Sequence, residues 1–188
     1  DLTLDLEVTA TAGQSDTSRV LSELRAGDIV TANVKVPANI GISSALVKLL
    51  FDKNTFEIQS WDKITTGLEE PAYADKKPNM PAGWANMEVT CYSDANTFGY
   101  VTATAVGSHF DGTQGKKVIA DVEHDTVWTV LSVEFKVKDS APVGNVTQAF
   151  SIASSAKDLE FAHEVSGKSE KYVVAVSDDI SATVVQEL

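Results

Sequence analysis

The sequence predicts an all-β fold, an antiparallel β-sandwich of about nine strands, and two patterns carry this prediction. Several segments alternate apolar and polar residues with a period of two, which is typical of strands that bury one face. Turn-forming residues separate these segments and no long helical pattern lies between them, which favours an antiparallel sandwich over an α/β fold. The 188 residues suit a single domain covering positions 1–188.

The first predicted strand shows the period-two alternation most clearly, with Leu2, Leu4, Leu6 and Val8 on one face and polar residues between them. The predicted strands in chain order are 2–10, 28–36, 44–51, 55–61, 84–92, 98–106, 127–137, 146–152, 172–176 and 180–185. Residues 93–96 predict a hairpin turn, and the proline-containing stretch 67–83 predicts a surface loop. Weak helical periodicity at 17–24 and 158–165 predicts one or two short helical insertions.

The charge and composition of the chain exclude several classes of function. Lysine and arginine number 15 against 27 aspartates and glutamates, so the formal net charge is -12. Such a surface repels phosphate backbones and anionic lipid, which argues against a nucleic-acid or membrane-surface role. The single cysteine, Cys91, permits no internal disulfide. No apolar run approaches the roughly 20 residues that a membrane span requires.

Residues with catalytic or metal-binding chemistry are scattered along the chain. His109, His124 and His163 lie far apart and match no metal-binding spacing. The glycine-containing segment Asp111–Gly115 lacks the alternate oxygen ligands and closing glutamate of an EF-hand. The sequence therefore predicts a protein that is not an enzyme and has no metal site or cofactor of its own.

The predicted strand 44–51 departs from the simple alternation because it is apolar on both faces. One face carries Ala45, Val47, Leu49 and Phe51, and the other carries Leu46, Lys48 and Leu50. A central strand buried on both faces would explain the leucines if the lysine reached out to water. The alternative is an exposed apolar patch, which usually marks a partner site. The second interpretation is preferred.

Two other functions remain open from the residues alone. The three tryptophans, Trp61, Trp84 and Trp128, could form a platform that stacks on sugars, as in a carbohydrate-binding module. A surface-adhesin sandwich with an internal lysine–asparagine crosslink is the other alternative. It requires a buried lysine, whereas Lys48 and Lys136 both fall on outward phases.

Three stretches of the chain resemble the cohesin domains of cellulosomal scaffoldins. Ala26–Val34 resembles the cohesin opening, where a Gly-Asp turn starts the second strand, and Ser44–Ile58 resembles the family's strand, turn and following strand. The most specific match is Asp125–Gly144, with its Phe-Lys-Val-Lys and Ala-Pro-x-Gly elements. Phe51 and Lys53 replace the usual Tyr and Pro. These replacements and the extra length resemble divergent, ruminococcal-type cohesins.

The resemblance implies a jelly-roll sandwich that performs no chemistry and binds a dockerin, a small helical module. It implies attachment of enzymes to a bacterial scaffold that degrades polysaccharide, at an extracellular or cell-surface location. The expected partner is a dockerin-bearing protein, with calcium bound in the dockerin and no cofactor in this chain. The isolated domain is expected to be monomeric.

The resemblance also implies which residues contact the partner, because the family binds dockerins on one flat sheet made of its third, fifth, sixth and eighth strands. Carried over by position, the contact residues are Ser44, Leu46, Lys48 and Leu50 on the third strand, Thr90 and Tyr92 on the fifth, Tyr100, Thr102 and Thr104 on the sixth, and Gln148 and Phe150 on the eighth. The third strand is the one whose second face carries the unexplained leucines.

Overall fold

The computed structural model describes residues 1–13, 15–65, 84–90, 94–110, 117–119, 121 and 123–187, with the backbone alone at 84–90, 107–110 and 117–119. In chain order the strands are β1 (Leu2–Thr11), β2 (Ser18–Arg19), β3 (Ile29–Val36), β4 (Ser44–Phe51), β5 (Phe56–Glu57), β6 (Ile64–Thr65), β7 (Trp84–Thr90), β8 (Tyr100–Phe110), β9 (Lys117–Ile119), β10 (Trp128–Val137), β11 (Gly144–Ile152), β12 (Glu160–Val165), β13 (Lys168–Lys171), β14 (Val174–Val176) and β15 (Ile180–Val184). Among the described residues, nine of these strands contain five residues or more. The prediction of about nine strands is lower than the fifteen strands of the described residues, because it did not include short strands such as β2, β9 and β13.

The strands form two sheets, and the predicted β-sandwich is confirmed. The first sheet has the order β14-β1-β3-β10-β5, with β2 beside β1 and β6 beside β10. The second sheet contains β4, β7, β8, β9, β11, β12, β13 and β15. All the pairings between these described strands are antiparallel except that of β1 with β14. Among the long strands, β1 pairs with β3 and β7 pairs with β8, whereas the chain crosses to the opposite sheet between β3 and β4, between β8 and β10 and between β10 and β11.

Strand β4 is central to the second sheet because both of its edges are paired. On one edge, β8 pairs with β4 from Ser44 to Leu50. On the other edge, β12 pairs with the first residues of β4 and β11 pairs with its last residues. A short gap therefore opens on this edge between β12 and β11, opposite the middle of β4.

The core lies between the two sheets and is built from the alternate residues that point inward. Four phenylalanines form its aromatic centre, Phe51, Phe56, Phe135 and Phe150. Ring centroids are 4.6 Å apart for Phe56 and Phe150 and 5.1 Å apart for Phe135 and Phe150. Such tilted aromatic pairs add stability beyond the area that they bury.

The position of Phe150 contradicts its predicted role as a partner contact. Its relative exposure is 0%, as is that of the preceding Ala149. Phe150 pairs with the buried Phe51 and shares the strand phase of the buried Ile152, so its side chain points into the core. The predicted outward orientation is wrong because the position carried over from the resemblance has the opposite phase to the alternation of Val146, Phe150 and Ile152.

The helical elements also differ from those predicted. Residues 17–24 form strand β2 and a 3₁₀ turn, Leu21–Glu23, and residues 160–165 form strand β12 instead of a helix. The predicted turn at 93–96 overlaps a short helix, α1 (Ala95–Phe98), and a second 3₁₀ turn covers Trp61–Lys63. Neighbouring strands in the sheet supply the hydrogen bonds of 160–165, and this pairing overrides a weak local helical pattern. No helix in the described part of the chain is long and apolar enough to cross a membrane.

Candidate functional site

The solvent side of β4 and β8 brings together most of the residues predicted to contact a partner. We call this surface the outer face, and it consists of Ser44, Leu46, Lys48, Leu50, Tyr100, Thr102 and Thr104. All seven residues are partly exposed, whereas the intervening Ala45, Val47, Leu49 and Phe51 are buried against the first sheet. The two leucines are thus turned away from the core, as the preferred interpretation of this strand requires.

The register of β4 and β8 sets which side chains are neighbours on the outer face. Leu46 lies opposite Thr104, Lys48 opposite Thr102 and Leu50 opposite Tyr100. Directly paired residues of antiparallel strands have Cβ atoms about 5 Å apart on the same side of the sheet. Each apolar or cationic residue of β4 therefore has a hydroxyl-bearing neighbour, and the face combines apolar area with hydrogen-bonding groups.

Lys48 is held in place by two neighbours from distant parts of the chain. Its Nζ lies 3.2 Å from Oδ1 of Asp158 and 4.1 Å from the centre of the Tyr100 ring. Asp158 belongs to the connection between β11 and β12, which passes the gap in the edge of β4, where the amide of Ala153 donates to the Lys48 carbonyl at 3.0 Å. The connection thus places a carboxylate beside the lysine in the middle of the outer face.

Asp158 is itself fixed by a local turn. The Ser155 hydroxyl donates to Oδ2 of Asp158 at 2.9 Å, and the Asp158 amide donates to the Ser155 carbonyl at 2.9 Å. The Ser155 hydrogen bond, together with the Lys48 ammonium, lowers the pKa of the Asp158 carboxyl below its ordinary value. The carboxylate therefore stays charged at any pH where the domain is expected to work, and Lys48 keeps its partner.

The end of the outer face next to Leu50 carries an additional aromatic residue. Phe98, the last residue of α1, is 55% exposed and stacks on Tyr100 with ring centroids 5.9 Å apart and an interplanar angle of 23°. The aromatic surface therefore continues past the end of β4. This residue was not among the predicted contacts, although it shares the period-two phase of Tyr100 and Thr102.

The remaining predicted contacts lie elsewhere or outside the described side chains. The backbone of Thr90 pairs with Thr102, at the edge of β8 that faces away from β4, and Tyr92 lies outside the described residues. Gln148 is exposed beyond the end of β4, where its Nε2 donates to Oδ2 of Asp179 at 3.0 Å. It lines an open cleft of about 410 Å³ with Asp52 and Asn54, so it does not join the outer face.

Asp158 is the second residue that the sequence did not indicate. It is separated from Lys48 by 110 positions, and the weak helical pattern at 158–165 gave no reason to place it beside β4. Only the pairing of β12 with the start of β4 brings it to the outer face.

The described side chains gather no metal-binding cluster. No group of three histidine, cysteine, aspartate or glutamate side chains that could hold a metal ion lies within this part of the structure. His124 stacks on Trp128 and His163 stacks on Tyr172. The side chain of His109 and the segment 111–115 lie outside the described residues.

The structural basis for the two alternative functions is weak. Trp128 is only 5% exposed and belongs to the core, so the three tryptophans do not form one platform. Trp61 lies beside the first sheet, and the side chain of Trp84 is outside the described residues. Lys48 and Lys136 are partly exposed and pair with the carboxylates of Asp158 and Asp139 at 3.2 Å and 3.7 Å. Neither lysine has the buried setting that a crosslink needs.

Comparisons with known proteins bear on the fold. No protein-family model and no curated protein sequence matches the chain.

The seventh type I cohesin of ScaB from Pseudobacteroides cellulosolvens is similar over 100% of this chain and 94% of its own, with a TM-score of 0.55 and 14% identity. The third cohesin of ScaC from Acetivibrio cellulolyticus, solved in complex with the ScaB dockerin, is similar over 98% of this chain and 99% of its own, with a TM-score of 0.53 and 17% identity. The type II cohesin A11 from Bacteroides cellulosolvens gives a TM-score of 0.53 and 12% identity over 97% of this chain and 99% of its own. The chain therefore has the fold of the cohesin domains.

Proposed function

We propose that the chain is a non-catalytic recognition module that binds a dockerin-bearing protein through its outer face. The observation that carries the proposal is the pair of partly exposed leucines, Leu46 and Leu50, on a paired central strand. Leucines in such positions gain little from facing water, and an apolar patch with polar neighbours is typical of a partner site. The cohesin fold supports a dockerin as the partner. Since fold alone does not determine function, the proposal depends on the leucines of the outer face.

The outer face has the size and rigidity that a helical partner needs. The eight residues of β4 extend over roughly 26 Å at about 3.3 Å per residue. A helix of about 17 residues has the same length. Both edges of β4 are hydrogen-bonded, so docking orders little additional backbone and loses little entropy.

In this proposal, the apolar and the polar residues of the outer face have different roles in binding. Desolvation of Leu46, Leu50 and the Tyr100 ring supplies most of the affinity. Lys48, already oriented by Asp158, and the hydroxyls of Thr102 and Thr104 fix the position of the partner. A standard interface covers about 800 Å² on each side, so neighbouring strands would take part as well.

The same proposal includes the setting of the domain. We infer that it is one monomeric module of an extracellular or cell-surface bacterial scaffold for polysaccharide degradation. It uses no cofactor, and calcium is bound by the partner. A calcium chelator should therefore abolish binding without changing the melting temperature of this chain.

The test is capture of purified type I and type II dockerins by the immobilised wild-type domain and by its Leu46→Asp and Leu50→Asp variants. We expect each carboxylate to lower the affinity by at least about a hundredfold, because it leaves a charge buried under the partner. The matched control is Thr129→Asp, a partly exposed strand position on the first sheet that lies opposite Lys35. This variant should bind like the wild type.

Two results would contradict the proposal. One is a wild-type domain that captures none of the dockerins. The other is loss of binding that follows loss of folded protein in the Leu46→Asp and Leu50→Asp variants, as judged by circular dichroism, since the leucines would then act as core residues.

A further inference from the structure

Phe98 is exposed, yet the backbone around it is tightly fixed. The side chain of Asn96 hydrogen-bonds both backbone groups of Ile58, accepting from its amide at 2.7 Å and donating to its carbonyl at 2.8 Å. One residue beyond Phe98, the Gly99 amide donates to the Ala95 carbonyl at 2.7 Å, and the Gly99 carbonyl accepts from the Phe51 amide at 3.0 Å. Phe98 is thus held from both sides.

Gly99 makes the turn that brings Phe98 onto Tyr100. Its φ of 80° lies in the left-handed region, and a Cβ at this position would approach the Phe51 carbonyl to 3.1 Å. The turn ends α1 and starts β8 within one residue, so the Phe98 ring stacks beside the Tyr100 ring. An exposed aromatic ring that is already ordered loses little entropy when a partner covers it.

A cation lies next to this aromatic pair. The Nζ of Lys53 donates to the Thr97 carbonyl at 3.0 Å, one residue before Phe98. Its aliphatic stem packs beside Gly99. If Gly99 had a Cβ atom, that atom would lie 3.7 Å from both Cβ and Cδ of Lys53. Lys53 is exposed and forms no ion pair with any described residue, whereas Lys48 is paired with Asp158. An ammonium group that pairs with no described carboxylate therefore lies at the backbone of the residue before Phe98, in a chain of net charge -12.

We propose, on the basis of the dockerin-binding function above, that Phe98 and Lys53 extend the dockerin contact past the end of β4. Phe98 packs on an apolar side chain of a partner helix where that helix extends past Leu50, and Lys53 pairs with a carboxylate near the same apolar residue. A partner that lacks this combination still covers the leucines of the outer face but loses the contact at its end.

The experiment measures the dissociation constant of the tightest dockerin from the panel by calorimetry. We expect Phe98→Ala to weaken binding about tenfold or more, because an anchoring aromatic ring is lost. Phe98→Tyr keeps the ring and should stay within about threefold of the wild type. Lys53→Gln should weaken binding about threefold in low salt and have less effect in high salt, as expected for a screened ion pair.

Matched controls separate these contacts from general surface effects. Trp61→Ala removes a partly exposed aromatic residue beside the first sheet, and Lys168→Gln removes an exposed lysine of β13. Both variants should bind like the wild type. Thermal melting of each variant shows whether it is folded, and Phe98→Tyr still tests the ring contact if Phe98→Ala is unstable.

The outcomes distinguish this inference from the proposed function. If the wild type binds and Leu46→Asp does not, but Phe98→Ala and Lys53→Gln bind normally, the inference is wrong and the function stands. A Phe98→Tyr variant that binds as weakly as Phe98→Ala would also overturn it. If the wild type binds no dockerin, the proposed function fails and this inference fails with it.

Discussion

Strands β3 and β4 have the same burial pattern but carry different chemistry on their solvent sides. In each strand, partly exposed residues alternate with buried ones over eight positions. Strand β3 turns Thr31, Asn33 and Lys35 outward, whereas β4 turns Leu46, Lys48 and Leu50 outward. Positions with the same class of partial exposure thus hold polar residues on the first sheet and leucines on the second. The sandwich itself does not require the leucines, so a second molecule is the natural explanation for them.

The lysines on the solvent sides of the two sheets also differ in their surroundings. On the first sheet, Lys35 pairs with Glu7 at 2.9 Å and Lys63 approaches Glu134 at 3.6 Å. Exposed pairs of this kind contribute about 0–1 kcal/mol and keep the surface solvated. On the second sheet, Lys48 lies against the Tyr100 ring as well as Asp158, which places its charge within an apolar surface. The first sheet therefore carries ion pairs that face water, and the second carries a charge among apolar and aromatic side chains, which is the arrangement that the proposed function uses.

The largest predicted effect separates the inner side of the second sheet from its outer face. Phe150→Ala should lower the free energy of unfolding by about 3–5 kcal/mol, because a buried aromatic ring leaves a cavity. Leu50→Ala should cost less than about 2 kcal/mol, because the residue is already partly exposed. Urea denaturation of both variants measures these values. Equal losses would mean that Leu50 belongs to the core and that the comparison with β3 is wrong.

The smallest predicted effect concerns the ion pair between Lys48 and Asp158. Its contribution to stability is present above the ordinary carboxyl pKa and is lost as the pH falls through the lowered pKa of the folded state. Asp158→Asn should therefore differ from the wild type by the same small amount at pH 5 and at pH 8, and the difference should shrink below about pH 4. Thermal unfolding at these pH values measures the difference.

Asp16→Asn is a suitable control for that pH series, because it also removes one carboxylate, and Asp16 is exposed and forms no ion pair with any described residue. A wild-type advantage over Asp158→Asn that grows as the pH falls from 8 to 5 would contradict the assignment of Asp158 as a carboxylate held charged by Lys48 and Ser155.

Local alternation of residues is enough to predict the sandwich and which side chains of β4 and β8 point outward, whereas the choice of these strands as the contact surface comes from the family resemblance. Strand β4 was placed correctly, and its two faces were assigned from sequence because each neighbouring residue points to the opposite side. Phe150 is the exception, because the position carried over from the resemblance implies an outward side chain. Its alternation with Val146 and Ile152 and its pairing with Phe51 place it in the core instead.

The rest of the candidate site depends on contacts between distant segments. Asp158 reaches Lys48 only because β11 and β12 share one edge of β4. Phe98 was assigned to a continuous strand, whereas it ends the helix α1, and the stack with Tyr100 follows from the Gly99 turn. Short-range patterns thus predict which face is apolar, and long-range pairing decides which groups complete it.

The central claim is that the outer face is the surface that the partner covers, and methyl NMR tests it most directly. Leucine, valine and threonine methyl groups would be followed during titration with a captured dockerin. We predict shifts at Leu46, Leu50, Thr102 and Thr104, with Thr9, Thr31 and Thr129 of the first sheet unchanged. Shifts at the first-sheet threonines with none at Leu46 and Leu50 would contradict the claim.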